Sequence, residues 1–408
     1  MASGRPRIAF VVQRYGLDVN GGAEQHCRAV AERLTRWVDV DVLTTCARDY
    51  SRWPNYYPPG ATQINGVTVH RFPTQPVGSD THAMLQRGGL PAQGLLAELE
   101  WNLELGPFAP GLFDAIARGR ETYDAFIFFT YLYSPTVLGL HLAPDRAILV
   151  PTAHDEPPIY LNLYRSVFFL PRVILYNTDA EREMVQRLFH NTDVPGLVTG
   201  VGVSAMAGDA ARFRAKHGLS GDILLYVGRI DRHKGVDELL DFFERYQAQR
   251  RSPVTLVLVG RPVMPVPKRP DVLPLGFLSD EDKADALAAA TVFVMPSRFE
   301  SLSLVTLEAW QAGVPVLANG ACEVVKGLCL ASNGGLFYET GEEFAVCLER
   351  LLRDAPLRAA LGAQAQRYVA ANYRWDVVDA KYLTALEHVG VDLNVSPAPA
   401  SLPPIEVA

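Results

Sequence analysis

Two doubly wound α/β domains, each a mostly parallel sheet with helices on both faces, are what this sequence predicts, on three observations. The chain has 408 residues, more than a single hydrophobic core ordinarily organises. Short apolar runs alternate with longer amphipathic stretches, the pattern of βαβ units with buried parallel strands. That alternation comes in two series, separated by a polar, glycine-containing stretch at residues 202–221, so a Rossmann-like domain is expected on each side.

The first series opens with the apolar run 8–12, passes Gly16 and the pair Gly21-Gly22, and continues into a helical stretch at 23–36. Further strand-like runs lie at 40–43, 67–72, 125–129, 147–150 and 173–176. Residues 74–119, with Gly88-Gly89, several prolines and two helical stretches at 95–105 and 110–118, are the least regular part and read as an insertion rather than core. The linker falls near 200–208. The second series starts with strand 223–227 and helix 236–249, followed by strands 255–259, 292–295 and 314–318. No internal repeat is evident. The Pro-rich end, 391–408, lacks helical periodicity and reads as a disordered tail.

Composition narrows the function. With 49% apolar and 20% charged residues the chain is a folding sequence, not a disordered one. A net charge of -7 with no long basic run disfavours non-specific nucleic-acid binding. Cys27, Cys46, Cys322, Cys329 and Cys347 form no Cys-x-x-Cys pair and no metal-spaced cluster with histidine, so reduced thiols and no metal are expected. The run 8–12, followed at once by Gln13 and Arg14, is too short for a signal peptide, and a cytoplasmic location is expected. No stretch reaches the roughly 18 to 20 apolar residues that span a bilayer, which leaves peripheral contact as the form any membrane association would take.

Three segments carry chemistry, each following a strand, where doubly wound sheets bind ligands. After strand 223–227 come Gly228, Arg229, Ile230, Asp231, Arg232, His233, Lys234 and Gly235. A guanidinium offers forked hydrogen bonds to phosphate oxygens and an ammonium a movable point charge, so Arg229 and Lys234 suit a diphosphate; solvated loop charges are the plain alternative. Neither a Gly-x-Gly-x-x-Gly fingerprint nor a Walker-type loop occurs, which argues against an ordinary dinucleotide enzyme or P-loop ATPase. After strand 292–295, Glu300 and Glu308 flank an expected helix start near 301–303. Carboxylates accept pairs of hydrogen bonds from vicinal hydroxyls, and a helix N-terminus between them can face phosphate; a helix-start charge and a solvated helix residue explain them equally. After strand 147–150, His154 stands beside Asp155 and Glu156, where it could bond a sugar hydroxyl or serve the fold, and Asp155 could cap the next turn. Gly21-Gly22 lets backbone approach a ligand, or simply makes a tight turn.

With these pieces in order the chain resembles the family-4 glycosyltransferases (glycosyltransferase group 1), retaining enzymes of the GT-B architecture, in which two Rossmann-like domains face a deep interdomain cleft. The resemblance covers nearly the whole chain to about Leu386. It rests on Gly21-Gly22-Ala-Glu24, His154-Asp155, Gly228-Arg229 with Lys234-Gly235, and Glu300 with Glu308 eight positions on. It implies boundaries at 1–202 for an acceptor-side domain, 203–374 for a donor domain, and a final helix at 375–390 crossing back to the first. It implies a nucleotide-sugar donor whose diphosphate is held by Arg229 and Lys234, with Glu300 on the sugar, Glu308 on the ribose and His154 near the transferred sugar. Gly21, Gly22, Ser303 and Leu304 would complete the binding site, and backbone at Phe277 would touch the base. Front-face attack assisted by the leaving diphosphate needs no metal and no cofactor; the acceptor would be a saccharide or lipid-linked saccharide. Two departures stand out: Ser301-Leu302-Ser303 replaces the family's frequent Gly-Phe-Gly, and Gly200-Val201-Gly202-Val203 replaces Asn-Gly-Val at the linker. A sugar phosphorylase or nucleotide-sugar epimerase of the same fold, and a non-catalytic nucleotide-sugar-binding subunit, are the competing readings.

Overall fold

The computed structural model describes residues 4–19, 21–76, 90–91, 94–204 and 206–393. The chain divides into two compact units: the chain up to Val201 together with the stretch from Val378 on, and Gly202–Val377.

The first unit is built on eight strands: β1 (Arg7–Val11), β2 (Asp39–Thr45), β3 (Gly60–Ile64), β4 (Val67–Phe72), β5 (Ala125–Phe129), β6 (Ala147–Val150), β7 (Val173–Tyr176) and β8 (Gly196–Val198). Their lateral order is β3-β4-β2-β1-β5-β6-β7-β8, and every pairing is parallel except β3 against β4. The central strands are apolar from end to end because helices cover both faces; all five residues of β5 are buried. The helices are α1 (Gly22–Leu34), α2 (Leu95–Leu105), α3 (Pro110–Gly119), α4 (Ser134–Gly139), α5 (Tyr164–Phe169) and α6 (Asp179–Phe189). Residues 74–119 were expected to stand outside the core, and here the expectation is corrected. Trp101 and Leu105 of α2 and Leu112 and Ile116 of α3 are buried in the same cluster as Val11, Phe126 and Leu149. The Gly88-Gly89 pair lies outside the described residues.

The second unit carries β9 (Ile223–Val227), β10 (Thr255–Val259), β11 (Val272–Gly276), β12 (Val292–Met295), β13 (Val316–Asn319) and β14 (Gly335–Tyr338), all parallel, in the order β11-β10-β9-β12-β13-β14. Its helices are α7 (Ala210–His217), α8 (Val236–Arg250), α9 (Asp280–Ala289), α10 (Leu304–Gln311), α11 (Glu323–Ser332), α12 (Gly341–Arg353) and α13 (Ala355–Asn372), and α14 (Trp375–His388) begins in it and ends in the first unit. Counted from β9 this is the 3-2-1-4-5-6 order, whose direction reverses between β9 and β12. Those two strands pair only through Val292 with Leu224 and Phe293 with Leu225, so their carboxyl ends diverge.

The path of α14 explains the departure at the linker. Trp375 lies against Gly202, where a Cβ would come within 2.2 Å of the indole, and Val203 donates its N–H to the Tyr373 carbonyl at 2.9 Å. From Val378 on the helix belongs to the first unit: Tyr382 hydroxyl bonds His26 Nε2 at 3.0 Å and Asp379 accepts from Arg33 Nε at 2.8 Å. Of the stretch 391–408 expected to be a disordered tail, residues 394–408 lie outside the described set, and Val391 is buried. The five cysteines are free, and among the described residues no helix is long and apolar enough to cross a membrane.

Candidate functional site

In the second unit the loop leaving β9 is organised by a residue to which the motif reading assigned no role. Asp231 is buried, its Oδ1 accepts the backbone N–H of Lys234 at 2.8 Å, and its Oδ2 pairs with Arg229 Nε. One carboxylate thus orients both basic residues. Lys234 Nζ reaches across to Glu300 Oε1 at 2.6 Å, with both side chains mostly shielded from solvent. Gly235 permits this approach: its φ is +69°, and a Cβ would lie 2.3 Å from the Pro296 carbonyl oxygen. The β9 and β12 loops therefore touch through backbone and through an ion pair.

The loop leaving β12 reaches α10 through Ser303, at φ +65°. This left-handed conformation suits the glycine that the resembled family often places here, and a serine holds it at a strain of about 1 to 3 kcal/mol. Its Oγ bonds Thr306 Oγ1 at 2.8 Å. Along α10, Glu308 Oε1 accepts from Lys283 Nζ at 3.0 Å, and Asp280 lies 3.4 Å from the same ammonium. Burial lowers the Lys283 pKa, but Glu308 and Asp280 outweigh that and raise it, so the lysine stays charged. Glu308 Oε2 is buried with no hydrogen-bond partner. A cavity of about 210 Å³ opens beside it, lined in part by Ser204, Ala284, Leu287 and Gln311.

In the first unit, Glu24 is buried and gathers Gln13 Nε2 at 2.9 Å and Arg14 Nε and Nη2 at 2.9 and 2.5 Å on its Oε1. Its other oxygen occupies the place a Gly21 side chain would need, 2.0 Å from a built Cβ, while Gly22 faces open space. Gly21 is thereby tied to internal packing and Gly22 to an open approach. Two threonines at strand ends, Thr130 after β5 and Thr152 after β6, have φ of +66° and +48°, a conformation β-branched residues adopt at a cost. His154 follows. Its Nε2 is 3.6 Å from Glu156 Oε1, its Nδ1 is buried without a hydrogen-bond partner, and Glu156 accepts from Tyr131 hydroxyl at 2.8 Å. Asp155 accepts from Tyr160 hydroxyl at 2.7 Å instead of capping the turn.

Arg229, Lys234, Glu300 and Ser303 thus lie in the loops that leave the two strands flanking the reversal of strand order, with Lys234 and Glu300 in contact, while Leu304 and Glu308 follow on α10, where Glu308 pairs with Lys283 of α9. Phe277 stands apart, after β11 at the outer edge of the sheet, and is 83% exposed. Motif reading passed over Asp231, Lys283 and Glu24 as site-builders. The Arg-x-Asp-x-x-Lys spacing and the Asp280/Lys283 pair one helical turn apart were the available signals.

Residues 209–368 match the family model described as glycosyl transferases group 1. The chain is 25% identical, over 94% of its length and 100% of the other's, to an uncharacterized glycosyltransferase of Methanocaldococcus jannaschii. It is 27% identical to the D-inositol 3-phosphate glycosyltransferase of Stackebrandtia nassauensis, over 97% of this chain and 95% of that one. Among solved structures, sucrose-phosphate synthase from Thermosynechococcus elongatus superposes with a TM-score of 0.69 at 19% identity, covering 94% of this chain and 99% of that chain. Anabaena HepE in complex with UDP-glucose does so with a TM-score of 0.67 at 17% identity, covering 93% and 99%. The chain thus has the GT-B fold, and its residues 209–368 are similar to the glycosyl transferases group 1 domain.

Proposed function

We propose that this chain is a retaining glycosyltransferase that moves a hexose-type sugar from a nucleoside diphosphate sugar to a saccharide or lipid-linked acceptor, in polysaccharide or glycoconjugate assembly, without a metal. The observation that carries the reading is the charge arrangement at the β9 and β12 carboxyl ends. Two cations, Arg229 and Lys234, are aligned by Asp231, with Glu300 against one of them and Glu308 one helix further on holding an unpartnered acceptor oxygen. A departing nucleoside diphosphate gathers negative charge as the glycosidic bond breaks, and cations fixed beforehand stabilise that charge. Arg229 and Lys234 fill that role. Glu300, released from Lys234 as phosphate takes its place, accepts from sugar hydroxyls; Glu308 Oε2 accepts from the ribose. The acceptor oxygen bonds to the anomeric carbon on the face the diphosphate leaves, and its proton passes to the departing phosphate oxygen. His154 stabilises charge near the transferred sugar. HepE, of the same fold, has been solved with UDP-glucose, which supports a nucleotide-sugar donor.

The test is turnover by the purified chain with nucleotide sugars and candidate acceptors, following free nucleoside diphosphate and the anomeric configuration of the product. Release that depends on acceptor, with configuration retained, is expected. Phosphate-dependent sugar release or epimer formation would point to the same fold running another reaction, and absence of turnover with bound donor to a binding subunit.

A further inference from the structure

The first unit buries a carboxyl that the reaction above does not use. Glu181, in the first turn of α6, has no solvent exposure and no cationic partner among the described residues. Three backbone N–H groups converge on it. Ala153 donates to Oε1 at 2.5 Å, Asn177 donates to Oε2 at 2.6 Å, and Thr178 adds a third. Its own N–H donates to Thr178 Oγ1 at 3.1 Å.

The place explains the need. β6 and β7 pair through Ile148 with Val173 and Leu149 with Ile174 and no further, so beyond Leu149 the two strands fork. The carboxyl group fills the fork, its oxygens taking the N–H of Ala153 on the β6 side and of Asn177 on the β7 side, in place of the missing ladder bonds. On its other flank the loop is held to β5, with Thr130 N–H on the Val150 carbonyl and Tyr131 N–H on the Pro151 carbonyl, both at 2.9 Å. Between these two ties sits Thr152 at φ +48°, a strained position that persists only when its surroundings over-determine it. Ala153 is the residue after the strain and the residue before His154. Burial pushes the Glu181 carboxyl up to about 8 against the pull of the three N–H donors. An ionisable group kept there at that cost serves to hold the loop.

We propose that Glu181 is the positioning residue of His154, fixing the 151–155 loop so that the imidazole stands where the transferred sugar is bound. The proposal rests on the role given to His154 above. Glutamine in its place keeps one acceptor and turns an N–H₂ against a backbone donor, which frees one arm of the fork.

Two readouts separate this proposal from that reading. Hydrogen exchange reports the loop itself: Glu181→Gln should speed exchange at 151–155 at least tenfold while the second unit is unchanged, and unaltered exchange there would overturn the proposal. A double-mutant cycle reports the chemistry. Glu181→Gln alone should lower kcat about tenfold, with the KM for donor unchanged, and should cost less than a further twofold in a His154→Ala background. Losses that multiply in the double variant would show that Glu181 acts independently of His154, and the proposal would fall. Faster exchange at 151–155 combined with wild-type kcat in His154→Ala would leave the loop tie standing and remove the catalytic role of His154. Should Glu181→Gln not fold, Glu181→Asp, which keeps both acceptor oxygens one methylene short, carries the same measurements.

Discussion

Asp231 is the residue that orients both Arg229 and Lys234 in the β9 loop. Its two oxygens hold the Lys234 backbone and the Arg229 side chain, so Asp231→Asn, which turns a donor toward the guanidinium, should raise the KM for donor about tenfold. Steady-state kinetics at saturating acceptor would read it, and kcat should move less. Glu300→Ala should lower turnover at least tenfold, with the melting temperature within a few degrees of wild type; unchanged turnover would refute its contact with the sugar. Charges after buried strands stood out in the sequence because a strand end in a doubly wound sheet is already a location, and Arg229, Lys234 and Glu300 were proposed as site residues on that ground. Asp231, Lys283 and Glu181 were not, because each earns its role from a partner that only the folded chain supplies. The nearest signal for Glu181 was the Thr178-x-x-Glu181 spacing of a helix start, and nothing in that spacing points to Ala153.

Elements differed in legibility for a related reason. Strands buried on both faces, such as β5, β6, β7, β9 and β12, announce themselves as continuous apolar runs. The edge strand β3 is exposed over four of its five residues, and β11 contains Pro274, so neither carries that signature. The segment 74–119 looked irregular because its helices are short and separated by prolines, yet their apolar faces complete the first core. At α10 the strain at Ser303 belongs to the helix start, and Ser303→Gly should raise stability by about 1 kcal/mol, measured by thermal melting. At α1 and α14, His26 is fully buried against Tyr382, and burial lowers its pKa from the ordinary value near 6.5 to about 3. The folded state therefore binds fewer protons than the unfolded chain between those values, and stability is lost as pH falls below about 6.5. By pH 5 the loss is about 2 kcal/mol, and it should be absent in His26→Gln. A pH series of melts on both proteins checks it: parallel curves would show that the histidine is not buried neutral.

At the scale of the molecule, each unit repeats one design, a sheet whose strand order reverses between its first strand and the strand beside it, at β1 and β5 and again at β9 and β12. The alternation of apolar runs was enough to predict two such units, since it depends only on which strands are buried. The charge pairing at the second reversal joins segments distant in sequence, the β9 and β12 loops through Lys234 and Glu300 and helices α9 and α10 through Lys283 and Glu308, and this is where structure adds most. The account turns on that reversal being a nucleoside diphosphate site. Thermal melting of the wild-type chain and of Lys234→Ala, across a panel of nucleoside diphosphates and their sugars at millimolar concentration, tests it directly, because a ligand that binds only the folded state raises the melting temperature. At least one nucleotide should raise the wild-type midpoint by several degrees and the variant's by much less; no shift with any of them, or equal shifts in both proteins, would contradict it.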